Sequence, residues 1–358
     1  MAGSLIAGEY TGPPELTLSR AVTSWTLDLP VLVAILVAAG LYLAGMRRLH
    51  RTGQAWPAAR PVAFLAGGTG AVVLATMSFL GVYQGVLFWA RAVQTVLLLL
   101  VAPLFLVLGR PLTLLIAARP RLGGRAEAAV HSRAARILTF PAITAMVLLV
   151  VPFLLYFTPW YEAGLRSDLV RELTYAALMV PGLVFFWTLL RVDPVPKAYP
   201  YLVSLWVTGA EVVGDAALGL AIIADEHLIA GAYYQALGRP WGPSLRADQV
   251  IGGGALWILG DLVGLPFLAA MLIQMIKEDE QEAVQVDAEL DASAAAAQEA
   301  GEATAATAGS QPWWQNDSRF TGRFRGVDQG ERPPGPLVPA ADQQRPALRK
   351  VDGGDEVV

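Results

Sequence analysis

Cysteine is absent from the 358 residues, and histidine occurs only three times. The first absence excludes disulfide scaffolds, thiolate metal sites, iron–sulfur ligation and cysteine nucleophiles. The second leaves His50, His131 and His227, too few for an imidazole-rich metal cage. Charge is scarce as well, at 16% of residues, where a soluble domain carries about 25%. Lysine is confined to Lys197, Lys277 and Lys350, none inside an apolar run. A seven-helix retinal protein, which needs a Schiff-base lysine mid-membrane, is thereby excluded. These gaps remove most enzyme classes, and the chain is expected not to be an enzyme. No nucleic-acid partner and no metal site are expected either.

What is present is apolar: 55% of the residues are hydrophobic. Seven runs are long enough to cross a hydrocarbon core of about 30 Å at about 1.5 Å per residue. They lie near Leu29–Met46, Val62–Leu80, Val86–Leu108, Ile137–Phe157, Leu169–Leu190, Tyr201–Ala224 and Val250–Ile276. Leu, Val and Ala dominate without strict alternation, which predicts helices in lipid rather than barrel strands. The expected fold is an all-α integral membrane protein, a seven-transmembrane helix bundle. No basic segment precedes the first run and no small-residue cleavage site follows it directly, so it reads as a retained helix.

Arginine sets the expected orientation. Arg47, Arg48, Arg51 and Arg60 follow the first run, Arg110, Arg119, Arg121, Arg125, Arg133 and Arg136 the third, and Arg191 and Lys197 the fifth. The opposite side holds Arg20, Arg166, Arg171, Arg239 and Arg246. This bias predicts an N-terminus outside and a C-terminus in the cytoplasm. Three parts follow: an extracytoplasmic segment over 1–28, a membrane domain over 29–276 and a cytoplasmic tail over 277–358. The tail begins acidic and Ala/Glu-rich, which extends the last helix into water, and then turns polar and Gly/Pro-rich, as disordered chain does. An island at Pro312-Trp313-Trp314 to Phe320 interleaves aromatics with arginine. A tail that docks on nothing is the expected reading of it, with the anionic inner leaflet or a partner as the alternative.

Ionisable residues inside a bilayer are costly and mark functional sites by default. Arg91 in the third run, Glu211 and Asp215 in the sixth and Asp261 in the seventh meet that criterion. Glu211 and Asp215 are four apart and share a helix face, as do Arg91 and Thr95, with Gln94 beside them. An intramembrane charge cluster of Arg91, Gln94, Thr95, Glu211, Asp215 and Asp261 is expected, with a direct or water-bridged ion pair between Arg91 and Asp215. Such a cluster serves equally well to fix helix register without any transport. Asp225-Glu226-His227 reads as a solvated loop. Gly252-Gly253-Gly254 reads as close helix packing.

Three stretches carry a resemblance. The first is Leu87-Phe88-Trp89-Ala90-Arg91-Ala92-Val93-Gln94-Thr95, continued by Ala102-Pro103 and Leu108-Gly109-Arg110-Pro111. The second is Gly182-Leu183-Val184-Phe185-Phe186-Trp187 running into Val192-Asp193-Pro194. The third is Asp248-Gln249, Gly252-Gly253, Trp257 and Gly260-Asp261. Together they resemble the signatures of CtaG-type cytochrome c oxidase assembly proteins over about residues 30 to 276. The resemblance implies a bacterial plasma-membrane accessory factor that helps assemble a haem–copper terminal oxidase, with an oxidase subunit as partner and copper as cargo. Asp248, Gln249, Gly253 and Trp257 are its motif residues here. The family's copper-suited histidines on the third, fifth and sixth helices fall on Arg91 and Thr95, near Ala177, and on Asp215. A guanidinium does not ligate copper, so a divergent member without copper binding is expected. The competing reading is a small transporter or proton-coupled carrier using the Arg/Asp/Glu cluster. No internal repeat supports it.

Overall fold

The computed structural model describes residues 10–197, 199 and 201–308. The main helices are α1 (Leu29–Arg51), α2 (Ala59–Tyr83), α3 (Phe88–Ala118), α4 (Pro141–Phe157), α5 (Trp160–Arg166), α6 (Asp168–Leu190), α7 (Tyr201–Ala224), α8 (Gly231–Leu237) and α9 (Leu245–Ala308). No strand occurs among the described residues. Among the described residues six helices are long and apolar enough to cross a membrane: α1, α2, α3, α6, α7 and the first part of α9. The fourth apolar run behaves differently. It forms α4 and α5 as a pair bent by 67°, which makes a seventh span only if both parts are counted together. Two prolines cut it. Phe140 precedes Pro141 and is extended, so the helix starts there rather than at Ile137. Thr158 precedes Pro159 and is extended as well, which ends α4 after 17 residues.

Without water between lipid-facing helices, association rests on close packing rather than on hydrophobic burial. The most enclosed span is α3, with 61% of its apolar window buried, against 6% for α1 at the periphery. The core around α3 gathers Val96, Leu98, Leu100, Leu148, Leu155, Phe185, Phe186, Leu218 and Ile222 from α3, α4, α6 and α7. Helix α6 comes closest. A Cβ on Gly182 would run into the Leu99 carbonyl oxygen and stand 2.7 Å from Pro103 Cγ. Helices α7 and α9 meet backbone to backbone, where a Cβ on Gly219 would stand 2.6 Å from the Gly253 carbonyl and 2.7 Å from Trp257 Cβ. Gly253 and Trp257 thus serve helix contact.

Two compact units divide after Glu280. The described part of the second is helical to Ala308. The Trp313-Trp314 island lies outside the described residues.

Candidate functional site

The site begins with a cap. Helix α3 starts at Phe88 with orphan N–H groups and no side chain of its own to satisfy them. Asp248, in the first turn of α9, supplies the acceptors: its Oδ2 takes the Phe88 N–H at 3.1 Å and its Oδ1 the Trp89 N–H at 3.0 Å. Arg239 Nη2 donates to the same carboxylate at 3.2 Å, and both side chains are 2% exposed. Next in sequence, Gln249 fastens the segment after α7. Its Oε1 accepts from Ile229 N at 2.9 Å, while Nε2 donates to the carbonyls of Ile222, Asp225 and His227. Asp193 repeats the device at the far end of α3. It accepts the N–H groups of Leu112 (3.2 Å) and Thr113 (2.9 Å), where the helix restarts after a left-handed Arg110. Three motif residues are therefore ties of the bundle.

Asp248 fixes the start of α3, and α3 fixes Arg91, which is 2% exposed. Its Nη1 donates to Gln84 Oε1 at 2.9 Å, and the guanidinium carbon sits 5.6 Å from the Tyr161 ring centre. Tyr175 donates its hydroxyl to the same Gln84 oxygen at 2.8 Å. Gln94 Nε2 donates to the Ala75 carbonyl at 2.8 Å and to the Tyr175 hydroxyl at 3.4 Å. Thr95 Oγ1 donates to the Arg91 carbonyl at 3.0 Å and lies 3.0 Å from the Tyr156 hydroxyl. The Tyr161 and Tyr234 hydroxyls meet at 2.8 Å. Arg91 Nε is buried without a hydrogen-bond partner. Sequence reasoning missed Gln84, Tyr156, Tyr161 and Tyr234. Gln84 was readable as an uncharged polar residue just ahead of the third-run motif; the tyrosines, scattered over α4, α5 and α8, had no common spacing.

The acids form a separate set. On α7, the Glu211 and Asp215 side chains interact with each other, and Asp261 of α9 acts on both electrostatically. Bare α9 backbone receives them: Gly264 lies opposite Glu211 Oε2, and a Cβ on Gly260 would strike Asp215 Oδ2. Asp261 Oδ1 is buried without a partner.

No ion pair joins Arg91 to Asp215 among the described residues. The expected cluster divides into Arg91 with Gln94 and Thr95, and Glu211 with Asp215 and Asp261. Helix direction is the reason. Helical side chains lean toward the N-terminus of their own helix. Helix α3 starts beside Asp248, where α9 also begins, whereas α7 ends there, at the Ile222 carbonyl held by Gln249. Arg91 and Asp215 therefore lean toward opposite ends of the bundle. Sequence depth alone does not carry that information.

Two cavities border this region. The one relevant to Arg91 has a volume of about 480 Å³ and is lined by Thr26, Asp28, Gln84, Asp168, Arg171 and Glu172 among others. Arg171 is engaged there, with Asp168 at 2.6 Å and Glu172 at 3.6 Å.

The three histidines are exposed, His227 being 97% exposed beside Asp225. Thr95 Oγ1 is engaged with the Arg91 carbonyl and the Tyr156 hydroxyl, and Arg91 is a cation. No group of three His, Cys, Asp or Glu among the described residues is placed to hold a metal.

The family model of the cytochrome c oxidase caa3 assembly factor, Caa3_CtaG, matches residues 40–278. The chain belongs to the Caa3_CtaG family. Its span covers the capping aspartates, Arg91 and the buried acids, so all of these lie within the family's own region. The chain is also similar to the uncharacterized protein Mb0105 of Mycobacterium bovis and to MT0111 of Mycobacterium tuberculosis. Each is 31% identical over 291 residues, which is 79% of this chain and 44% of the relative. ML1998 of Mycobacterium leprae is 28% identical over the same length. The Caa3_CtaG chain thus spans less than half the length of these relatives. No solved structure matches it. Six apolar helices and the family make it a multi-pass membrane protein.

Proposed function

We propose that this Caa3_CtaG protein is a non-catalytic accessory factor in the assembly of a haem–copper oxidase, acting in a bacterial plasma membrane by contact with an oxidase subunit. Within that role it has lost copper binding. The observation that supports the loss is Arg91 at the helix position where a family histidine is expected, 2% exposed and hydrogen-bonded to Gln84. What remains is a capped and tightly packed scaffold. Affinity purification of the full chain from mild detergent is expected to enrich an oxidase subunit. Enrichment of none, together with impaired solute transport in cells lacking the protein, contradicts the assembly role.

The fold is read as seven spans, counting α4 and α5 as one, with the N-terminus outside and the tail from residue 277 in the cytoplasm. Cysteines at Gln54 and Glu127, both exposed, are expected to react with an impermeant reagent only after the cytoplasmic side is opened. One at His227 is expected to react from outside. The opposite pattern inverts the topology.

A second reading, a proton-coupled carrier, draws on one observation: the Glu211 and Asp215 carboxyls face each other in the bundle with Asp261 nearby. Purified protein in liposomes that moves protons or a solute by itself, with the movement lost in Glu211→Gln, favours this reading over assembly.

A further inference from the structure

Helix α3 ends on a corner. Arg119 precedes Pro120 and leaves the helical region, and a further helix, Pro120–Val130, follows it. That helix packs back on the end of α3: a Cβ on Gly123 would stand 2.6 Å from Ile116 Cα. The return brings Leu122 to Leu115 and Ala118, and together with Leu41 and Gly45 of α1 they line a cavity of about 400 Å³. Its buried side is aromatic, with Tyr42 stacked on Phe64 at 4.2 Å between ring centres. The Tyr42 hydroxyl is engaged, donating to the Gly109 carbonyl at 2.7 Å and accepting from Trp56 Nε1 at 3.1 Å. Arg119 is the one charged residue lining the cavity among the described residues.

This guanidinium has no counter-charge. Among the described residues no ion pair engages Arg119 or Arg48, and both are exposed. Arg48 lies one turn past Gly45 on α1, on the face that Leu41 and Gly45 share. From Arg110 to Arg136 the chain has six arginines and a single acid, Glu127. Asp193, which caps this end of α3, is 5% exposed and holds the Leu112 and Thr113 N–H groups. A hydrocarbon slot beside unpaired guanidinium groups suits a phospholipid: a chain fills the slot, and phosphate oxygens take the arginine donors. A zwitterionic head brings its own cation back to the arginines, whereas an anionic head does not.

We propose that the groove between α1 and the end of α3 binds an anionic phospholipid. An acyl chain lies against Leu41, Leu115 and Leu122, and the phosphate sits between Arg119 and Arg48.

The test uses the purified full chain in mixed micelles, with dioleoyl phosphatidylglycerol compared against dioleoyl phosphatidylcholine at equal mole fraction and ionic strength. The thermal midpoint is expected to rise with the logarithm of the phosphatidylglycerol fraction, as for a ligand that binds only the folded state. Phosphatidylcholine is expected to leave it flat. Arg48→Gln combined with Arg119→Gln is expected to remove the rise, while melting like the wild type in phosphatidylcholine, because both residues are exposed. Arg133→Gln takes away an exposed arginine outside the groove and is expected to keep the rise. Leu122→Trp puts an indole into the groove at unchanged charge and is expected to weaken it. Glycerol phosphate, a head without hydrocarbon, is expected to have no effect. Equal midpoints in the two lipids overturn the proposal. So does a rise that survives the double substitution, that Leu122→Trp leaves intact, that Arg133→Gln abolishes as well, or that glycerol phosphate reproduces.

Discussion

Asp248→Ala is expected to cost about 3–5 kcal/mol of stability, the size seen when one partner of a buried ion pair is removed. Three groups lose their acceptor at once: the N–H groups of Phe88 and Trp89, and the Arg239 guanidinium. Arg239 is poorly placed to recover. Its Nε and Nη1 already lack partners, and only the Pro243 carbonyl would remain to Nη2. Asp248→Asn keeps one acceptor oxygen and is expected to fall between wild type and Ala. Adding Arg239→Met to Asp248→Asn removes the stranded charge and is expected to restore part of the loss. Thermal unfolding in detergent measures all of these. An Asp248→Ala protein that melts with the wild type contradicts the cap, since the orphaned groups would then have found water.

Gly182→Ala is the second large effect, for a different reason. A methyl group there meets the Leu99 carbonyl oxygen, a backbone atom in the middle of α3. A flexible side chain could rotate away, but a helix backbone does not, so α6 must move off α3. Overpacking of this kind costs about 1–3 kcal/mol and occasionally more. The shift also carries Tyr175 of α6 away from Gln84, a bond now 2.8 Å long. Gly254→Ala, with open space around it, is the control and is expected to be neutral. Equal melting of the two variants rules out the close approach.

The two substitutions show which parts of the molecule were legible in the sequence. The apolar runs gave α1, α2, α3, α6, α7 and α9, because an unbroken run of that length has no other stable state in lipid. Prolines limited the fourth. A run measured by hydrophobicity ignores that Phe140 and Thr158 precede proline and are pushed out of the helical region. Motif residues were visible as a pattern, yet their work was not. Asp248 and Asp193 stood in the motif stretches, but the helix starts they cap lie 160 and 81 residues away in the chain. The charged residues were legible in composition, but no direct Arg91–Asp215 ion pair occurs among the described residues. Arg91 and Asp215 sit on helices that run in opposite directions, and the lean of a side chain depends on that direction. Tyr161 and Tyr234, 73 residues apart, share a hydrogen bond that only the packed bundle creates.

This Caa3_CtaG bundle is tied by Asp248, Gln249 and Asp193 and carries a buried guanidinium at Arg91. The most direct measurement is the copper content of the purified full chain after loading with Cu(I) and desalting, beside a family member that carries the helix histidines. This protein is expected to hold no stoichiometric copper under conditions where the histidine-bearing relative retains it. One copper held tightly per chain contradicts the loss of copper binding.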